Sequence, residues 1–198
     1  MNQFFNAISN QIRMRKGLFL ILIISTIVII VLGVISAINF DGGILPIDLS
    51  NIAFIKYLKG DCGVFFLIFG TLLNLIIFYS LILVFCCKRF LIPFAIIFYL
   101  YFVYSQIVIF TSIILIYGFF NTLILLLLLL IYILLEIIML MFFILFLLNF
   151  TDCFGYFKSC FTFNNSILIL LSISLLIVSI LFCVVLIVLK SFVILLIF

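Results

Sequence analysis

Apolar residues run along this chain in unbroken stretches, and the polar residues fall into short clusters between them. The stretches cover residues 18–38, 64–87, 90–117, 122–148 and 166–189. Each exceeds the ~18 residues that mark a membrane-spanning helix. Strict alternation of apolar and polar residues, the mark of an outer-membrane barrel, is missing from all of them. The pattern predicts an all-α fold, a polytopic membrane helix bundle of five transmembrane helices. No connection is long enough to form a soluble domain, so residues 1–198 read as a single membrane domain.

Two flanking segments have a different period. In MNQFFNAISNQIRMRKG, residues Phe5, Ile8 and Ile12 share one helical face, while Asn6, Asn10 and Arg13 lie away from it. That spacing predicts a short amphipathic helix over 1–16, lying on the membrane surface. The extracytoplasmic segment 39–63 reads NFDGGILPIDLSNIAFIKYLKGDCG. Asp41-Gly42-Gly43 and Pro46 mark turns, and Ser50 is suited to cap a short helix. In that helix Ile52, Ile55 and Leu58 align, with Lys56 and Lys59 pointing elsewhere, which predicts a second interfacial helix outside the membrane.

The first span follows a basic cluster, but it is longer than the ~7–15 apolar residues of a signal peptide and lacks an A-x-A site. It is expected to be a retained anchor. Lys88-Arg89 forms a very short turn, and Pro93 falls in the first turn of span three, where proline is tolerated. Gly118 to Asn121 is a tight turn into span four. The loop around Gly155 carries aromatic residues suited to the membrane interface. After Lys190 the apolar tail SFVILLIF leaves open whether the last helix continues.

Composition removes the alternative of a soluble fold. The chain is 71% hydrophobic and 7% charged, against about half and about a quarter in a soluble domain. The net charge of +4 comes from scattered Lys and Arg that form no nucleic-acid-binding stripe. Their positions set orientation instead. Arg13, Arg15, Lys16, Lys88, Arg89 and Lys158 fall on one side, and Lys56, Lys59 and Lys190 on the other with Asp41, Asp48 and Asp61. The positive-inside rule then puts the N-terminus inside and the C-terminus outside. Abundant Ile, Phe and Asn with no Trp suggest an AT-rich coding bias, hence a low-GC bacterium and its cytoplasmic membrane. In this topology only Cys62 lies outside, so no intramolecular extracellular disulfide is expected. Cys86, Cys87, Cys153 and Cys160 lie inside. Without His or a C-x2-C pair they make a poor metal site, and no cofactor is expected.

Lipid is as apolar as leucine, so small and hydrogen-bonding residues choose which helix faces meet. Span three groups Tyr101, Tyr104, Ser105, Thr111 and Ser112 on one face, with Tyr99 and Gln106 opposite, on a face that is expected to meet another helix or a partner. Span two groups Gly63, Gly70, Thr71 and Asn74. Span one groups Thr26, Gly33 and Ala37. Span five groups Ser172, Ser179, Cys183 and Lys190. These stripes serve helix packing, or alternatively line a substrate path.

Glu136 interrupts the most apolar run, LILLLLLLIYILLEIIMLMFFILFLL. Its depth matches Tyr101 to Ser105 on span three and Tyr79 and Ser80 on span two, and Tyr132 lies one turn away on its own face. Glu136, Tyr132, Tyr101, Tyr104 and Ser105 therefore form a candidate intramembrane polar cluster. An acidic residue at a helix centre costs roughly 2.5–3.5 kcal/mol on insertion scales, and each Leu, Ile or Phe returns about 0.3–0.6 kcal/mol. The run absorbs Glu136 without a function being required. Three readings stay open: a neutral, hydrogen-bonded structural group, a proton- or ion-linked group, and a tolerated accident.

No enzyme is expected. The chain has no His, Glu136 has no second acid within a span to form a catalytic dyad, and no Gly-rich phosphate loop follows a strand. The layout does resemble a known family. A basic N-terminus, one span, the amphipathic stretch SNIAFIKYLKGDCG, and closely spaced spans with the tight turn LIYGFFN are similar to the stage II sporulation protein M family of bacterial integral membrane proteins. By layout the resemblance covers about residues 13 to 189. Where such proteins carry a Pro- and Gln/Asn-containing segment, this chain reads LLIYILLEII. The resemblance implies a non-enzymatic membrane scaffold, working with partner membrane proteins in sporulation or a related envelope process. The expectation is thus a scaffold or accessory subunit in the lipid bilayer, with a membrane-protein partner or as a homo-oligomer. The alternative is a permease subunit with a polar path around Glu136.

Overall fold

The computed structural model describes residues 9, 13, 15–39, 53–86, 89–118, 123–153 and 163–197. Its helices are α1 (Lys16–Ile38), α2 (Ala53–Lys59), α3 (Val64–Cys86), α4 (Ile92–Tyr117), α5 (Leu123–Cys153) and α6 (Phe163–Ile197). A short 3-10 turn, Arg89–Leu91, leads into α4. There are no strands among the described residues. The five helices α1, α3, α4, α5 and α6 are long and apolar enough to cross a membrane, so the chain is a multi-pass membrane protein built as an all-α bundle. Most of the expected 1–16 surface helix lies outside the described residues, as do Asp41, Pro46, Asp48, Ser50, Cys87, Lys88, Lys158 and Cys160.

Local chemistry explains the boundaries. Pro93 sits in the first turn of α4, where the missing N–H has no intrahelical partner to lose. Gly118 ends α4, and its N–H bonds to the Ile114 carbonyl at 3.0 Å. Helix α5 continues to Cys153, beyond the expected 148, because no Gly or Pro intervenes before Gly155. Helix α6 runs through the apolar tail to Ile197, so the backbone of the last span does continue past Lys190.

The short helix α2 behaves differently from a free interfacial helix. The Gly60 N–H bonds to the Tyr57 carbonyl at 3.1 Å and the Asp61 N–H to the Lys56 carbonyl at 2.9 Å. With Gly60 at φ +86°, this is a Schellman stop. The stop turns the chain back so that α2 folds against the start of α3. Ile55 and Tyr57 become buried. Gly70, about 9 Å along α3 from Val64 at the helical rise, accommodates Ala53, whose Cβ would lie 2.9 Å from a Cβ at position 70. The Lys56 ammonium stands 6.0 Å from the centroid of the Phe66 ring.

Helix α4 is the hub, packing against α1, α3 and α5, while α6 closes the far side against α5 and α3. The buried face of α1 is Leu22, Thr26, Gly33 and Ala37. At Gly33 the two backbones approach closely. A Cβ there would meet Ile107 Cγ2 at 3.0 Å and the Tyr104 carbonyl at 3.6 Å, the close fit that small residues permit between membrane helices. Side chains such as Tyr99, Ile113, Leu129, Ile133 and Ile144 fill the interior, and Ile21, Phe65, Ile97, Ile131 and Val188 face outward.

A candidate intramembrane polar site

Helix α5 places Tyr132 and Glu136 one turn apart on its inner face. Glu136 is only 2% exposed. The Tyr132 hydroxyl donates to its Oε1 at 3.1 Å. Tyr132 is held by α6: its ring stacks on Phe182 with centroids 4.3 Å apart, and Ser179 lies beside its hydroxyl. Ser179 is itself buried and donates back to the Leu175 carbonyl at 3.0 Å. One turn on, Cys183 Sγ lies 3.1 Å from Thr71 Oγ1 of α3. Helix α3 also supplies Tyr79, whose ring meets Phe143 edge-on at 4.8 Å and whose hydroxyl lies within electrostatic range of Glu136.

The cluster therefore joins α3, α5 and α6. It holds Thr71, Tyr79, Tyr132, Glu136, Ser179 and Cys183. Two of its atoms, Glu136 Oε2 and the Tyr79 hydroxyl, are buried without a hydrogen-bond partner among the described residues. A small cavity of about 180 Å³, lined by Tyr79, Ser80, Phe143 and Ser172 among others, adjoins Tyr79. A larger apolar groove of about 410 Å³ runs between α5 and α6 on the other side of Tyr132.

Span three does not supply the groups expected of it. Tyr101 is 59% exposed and faces away from Glu136. The half-buried Tyr104 puts its carbonyl at the α1 seam, and Ser105 donates to Phe102 of its own helix at 2.7 Å. The buried tyrosine of α4 is Tyr99, fully enclosed, with its hydroxyl 3.0 Å from Thr26 Oγ1 of α1. Polarity alone misorients a tyrosine in a membrane helix, because its ring is compatible with either lipid or a neighbouring helix. Tyr79 was signalled by its depth, and Cys183 and Thr71 by their stripes, but nothing in the spacing paired them.

The remaining stripe residues divide by location. Gly33 and Ala37 lie on the α1–α4 seam, Gly70 under α2, Ser172 at the small cavity and Asn74 on the exposed side of α3. Ser174 joins α6 to α5 by donating to Met139 Sδ at 3.3 Å. Among the described residues no three His, Cys, Asp or Glu side chains come together as a metal site. Chemically, the cluster can hold one carboxyl group by a hydrogen bond from Tyr132. No family model, curated protein or solved structure matches the chain.

Proposed function

We propose that this protein is a non-enzymatic scaffold or accessory subunit of a bacterial cytoplasmic membrane, assembling with partner membrane proteins or with itself. The supporting observation is the use made of polar side chains inside the spans. Thr26–Tyr99 ties α1 to α4, Thr71–Cys183 ties α3 to α6, and Ser174–Met139 ties α6 to α5. In lipid, where burial does not distinguish one helix face from another, such pairs and close small-residue contacts fix which helices meet. A bundle fixed at so many seams suits a platform. The layout shared with the stage II sporulation protein M family supports the same class and an envelope process as its setting. The distribution of Lys and Arg supports an N-terminus inside and a C-terminus outside.

A second reading, a permease subunit, draws on one observation: Glu136 Oε2 and the Tyr79 hydroxyl are enclosed without partners among the described residues. A pulldown of the full chain from its native membrane in mild detergent, with identification of what co-purifies, separates the two. An envelope-remodelling membrane protein supports the scaffold, and an ATPase supports transport. On the scaffold reading, Glu136→Gln leaves assembly nearly intact because Gln keeps the hydrogen-bonding shape. Loss of a measured solute or proton flux in that variant would defeat it.

A further inference from the structure

Asn74 stands near the middle of α3, about 15 Å along the helix from Val64 and about 18 Å from Cys86 at the helical rise. In a hydrocarbon core about 30 Å thick, that is close to the bilayer midplane. The side chain is exposed and has no hydrogen bond among the described residues. A hydroxyl on the outer surface of a span escapes this position by returning its proton to its own helix. Ser25 does so to the Ile21 carbonyl at 2.7 Å, and Ser80 to the Ile76 carbonyl at 2.8 Å. Asn74 makes no such bond. Its amide brings two N–H donors and a carbonyl acceptor to a depth where hydrocarbon offers a partner for neither. Polar groups inside a membrane are ordinarily turned into the bundle, yet Leu67, Leu75 and Ile82 hold that side of α3.

The surface around Asn74 has the shape of a helix contact. At 3.6 residues per turn, Leu73, Asn74, Ile77, Ser80 and Val84 fall within about a third of the circumference, centred on Ile77. All of them are exposed. Toward the outside α2 covers this same face, with Ala53 over Gly70 and Lys56 over the Phe66 ring. From Leu73 inward the face is open among the described residues. Positions 73, 77, 80 and 84 alternate by four and three residues, the seam spacing of two helices packed with a left-handed twist, and the small Ser80 lets a second backbone approach.

The carboxamide decides what covers this face, because the occupant must bring both a donor and an acceptor to the midplane. Copies of this chain that share one orientation in the bilayer are related by an axis along its normal, and across such a two-fold the same patch meets itself. Each residue then faces its counterpart at its own depth. Asn74 meets Asn74, and one carboxamide both donates to and accepts from another. We infer that the α3 face of Leu73, Asn74, Ile77, Ser80 and Val84 docks against the same face of a second copy of this chain, with the two Asn74 carboxamides hydrogen-bonded to each other.

The inference rests on reading the protein as an assembling subunit and names a second copy as a partner. The full chain, carrying a donor or an acceptor fluorophore at its N-terminus, is reconstituted into phospholipid vesicles, and energy transfer is followed as the protein is diluted with lipid. Association that falls off on dilution is expected. Asn74→Leu is expected to raise the protein-to-lipid ratio at half association by about threefold to thirtyfold, the range that one interhelical hydrogen bond represents in lipid. Asn74→Gln, which keeps the carboxamide, is expected to recover most of that shift. Dilute Asn74→Leu is expected to keep the parent's tyrosine near-ultraviolet circular dichroism, since leucine suits a lipid-facing position; a changed spectrum would mean that Asn74 holds the bundle itself, and would overturn the docking face. Energy transfer absent at every ratio would overturn the dimer, and an unchanged midpoint in Asn74→Leu would overturn this face. A monomeric chain whose Asn74→Leu variant loses a protein that co-purifies from the native membrane would give the face to that protein and not to a second copy. Each of these failures leaves the scaffold reading to the native-membrane pulldown, so the two are told apart.

Discussion

The Thr26–Tyr99 pair makes the sharpest energetic prediction, because the structure assigns its donor and acceptor. Thr26 already donates its proton to the Leu22 carbonyl at 2.6 Å. At 3.0 Å from Thr26 Oγ1, the Tyr99 hydroxyl is therefore the donor. Tyr99 is completely buried, and Thr26 is 8% exposed. Tyr99→Phe removes the donor and leaves Thr26 still bonded to Leu22. Its cost is that of one interhelical hydrogen bond, about 0.6 kcal/mol and at most about 1.7. Thr26→Val keeps the volume but leaves the Tyr99 hydroxyl buried without an acceptor, at about 1–3 kcal/mol. The double variant removes both ends and so costs less than the two single changes added together. The full chain is unfolded reversibly in mixed micelles with increasing SDS and followed by tyrosine near-ultraviolet circular dichroism, since there is no Trp. If Tyr99→Phe costs as much as Thr26→Val, and the two effects simply add, the bond and its direction are both wrong.

Tyr132→Phe keeps the stack on Phe182 but strips Glu136 of its hydrogen-bond donor, and is expected to lower stability by about 1–3 kcal/mol in the same unfolding assay. Adding Glu136→Met should restore most of that loss, because removing both partners avoids an orphaned group. Gly33→Leu is expected to cost about 1–3 kcal/mol by overpacking, since even a Cβ meets Ile107 at 3.0 Å; unchanged stability would contradict the close α1–α4 approach. Gly70→Val is expected to push α2 off α3, because Ala53 already sits 2.9 Å from the site of a Cβ. The readout is faster maleimide labelling of Cys62, whose thiol contacts the Ala53 carbonyl at 3.7 Å, resolved from the other cysteines by peptide mapping.

The spans are legible because length and hydropathy decide them, independent of any partner. The α1 seam is legible for a related reason: Thr26, Gly33 and Ala37 are the few small or polar residues in an otherwise bulky helix. Tyr101 shows where the pattern fails, whereas Tyr99 meets another helix, as its face was expected to. Both are tyrosines in one helix, and only the neighbour that α4 meets decides which is buried. For α2, the alignment of Ile55 with charged flanks describes an amphipathic helix, yet its direction is set by the Gly60 stop and by the gap that Gly70 leaves. Those two glycines are visible in the chain, but their pairing is tertiary. The Glu136 site is half legible. Tyr132 follows from helical spacing, whereas Ser179, Cys183 and Tyr79 arrive from other helices whose rotation no single-helix pattern determines.

The two polar regions occupy different seams, and that separation limits what either can do. Thr26, Tyr99 and Gly33 hold α1 on α4, while Glu136 and its partners lie among α3, α5 and α6. Any change at Glu136 acts at the α3–α5–α6 junction and leaves the α1–α4 seam untouched. Its leverage is modest, because hydrogen bonds between membrane helices are worth about 0.6 kcal/mol on average, while the helices are held along their length by packing. An unpaired carboxylate at that junction, by contrast, is costly in the absence of any opposite charge. A change at Glu136 thus bears on the fit of α3 against α5 and α6 without dismantling the α1–α4 seam.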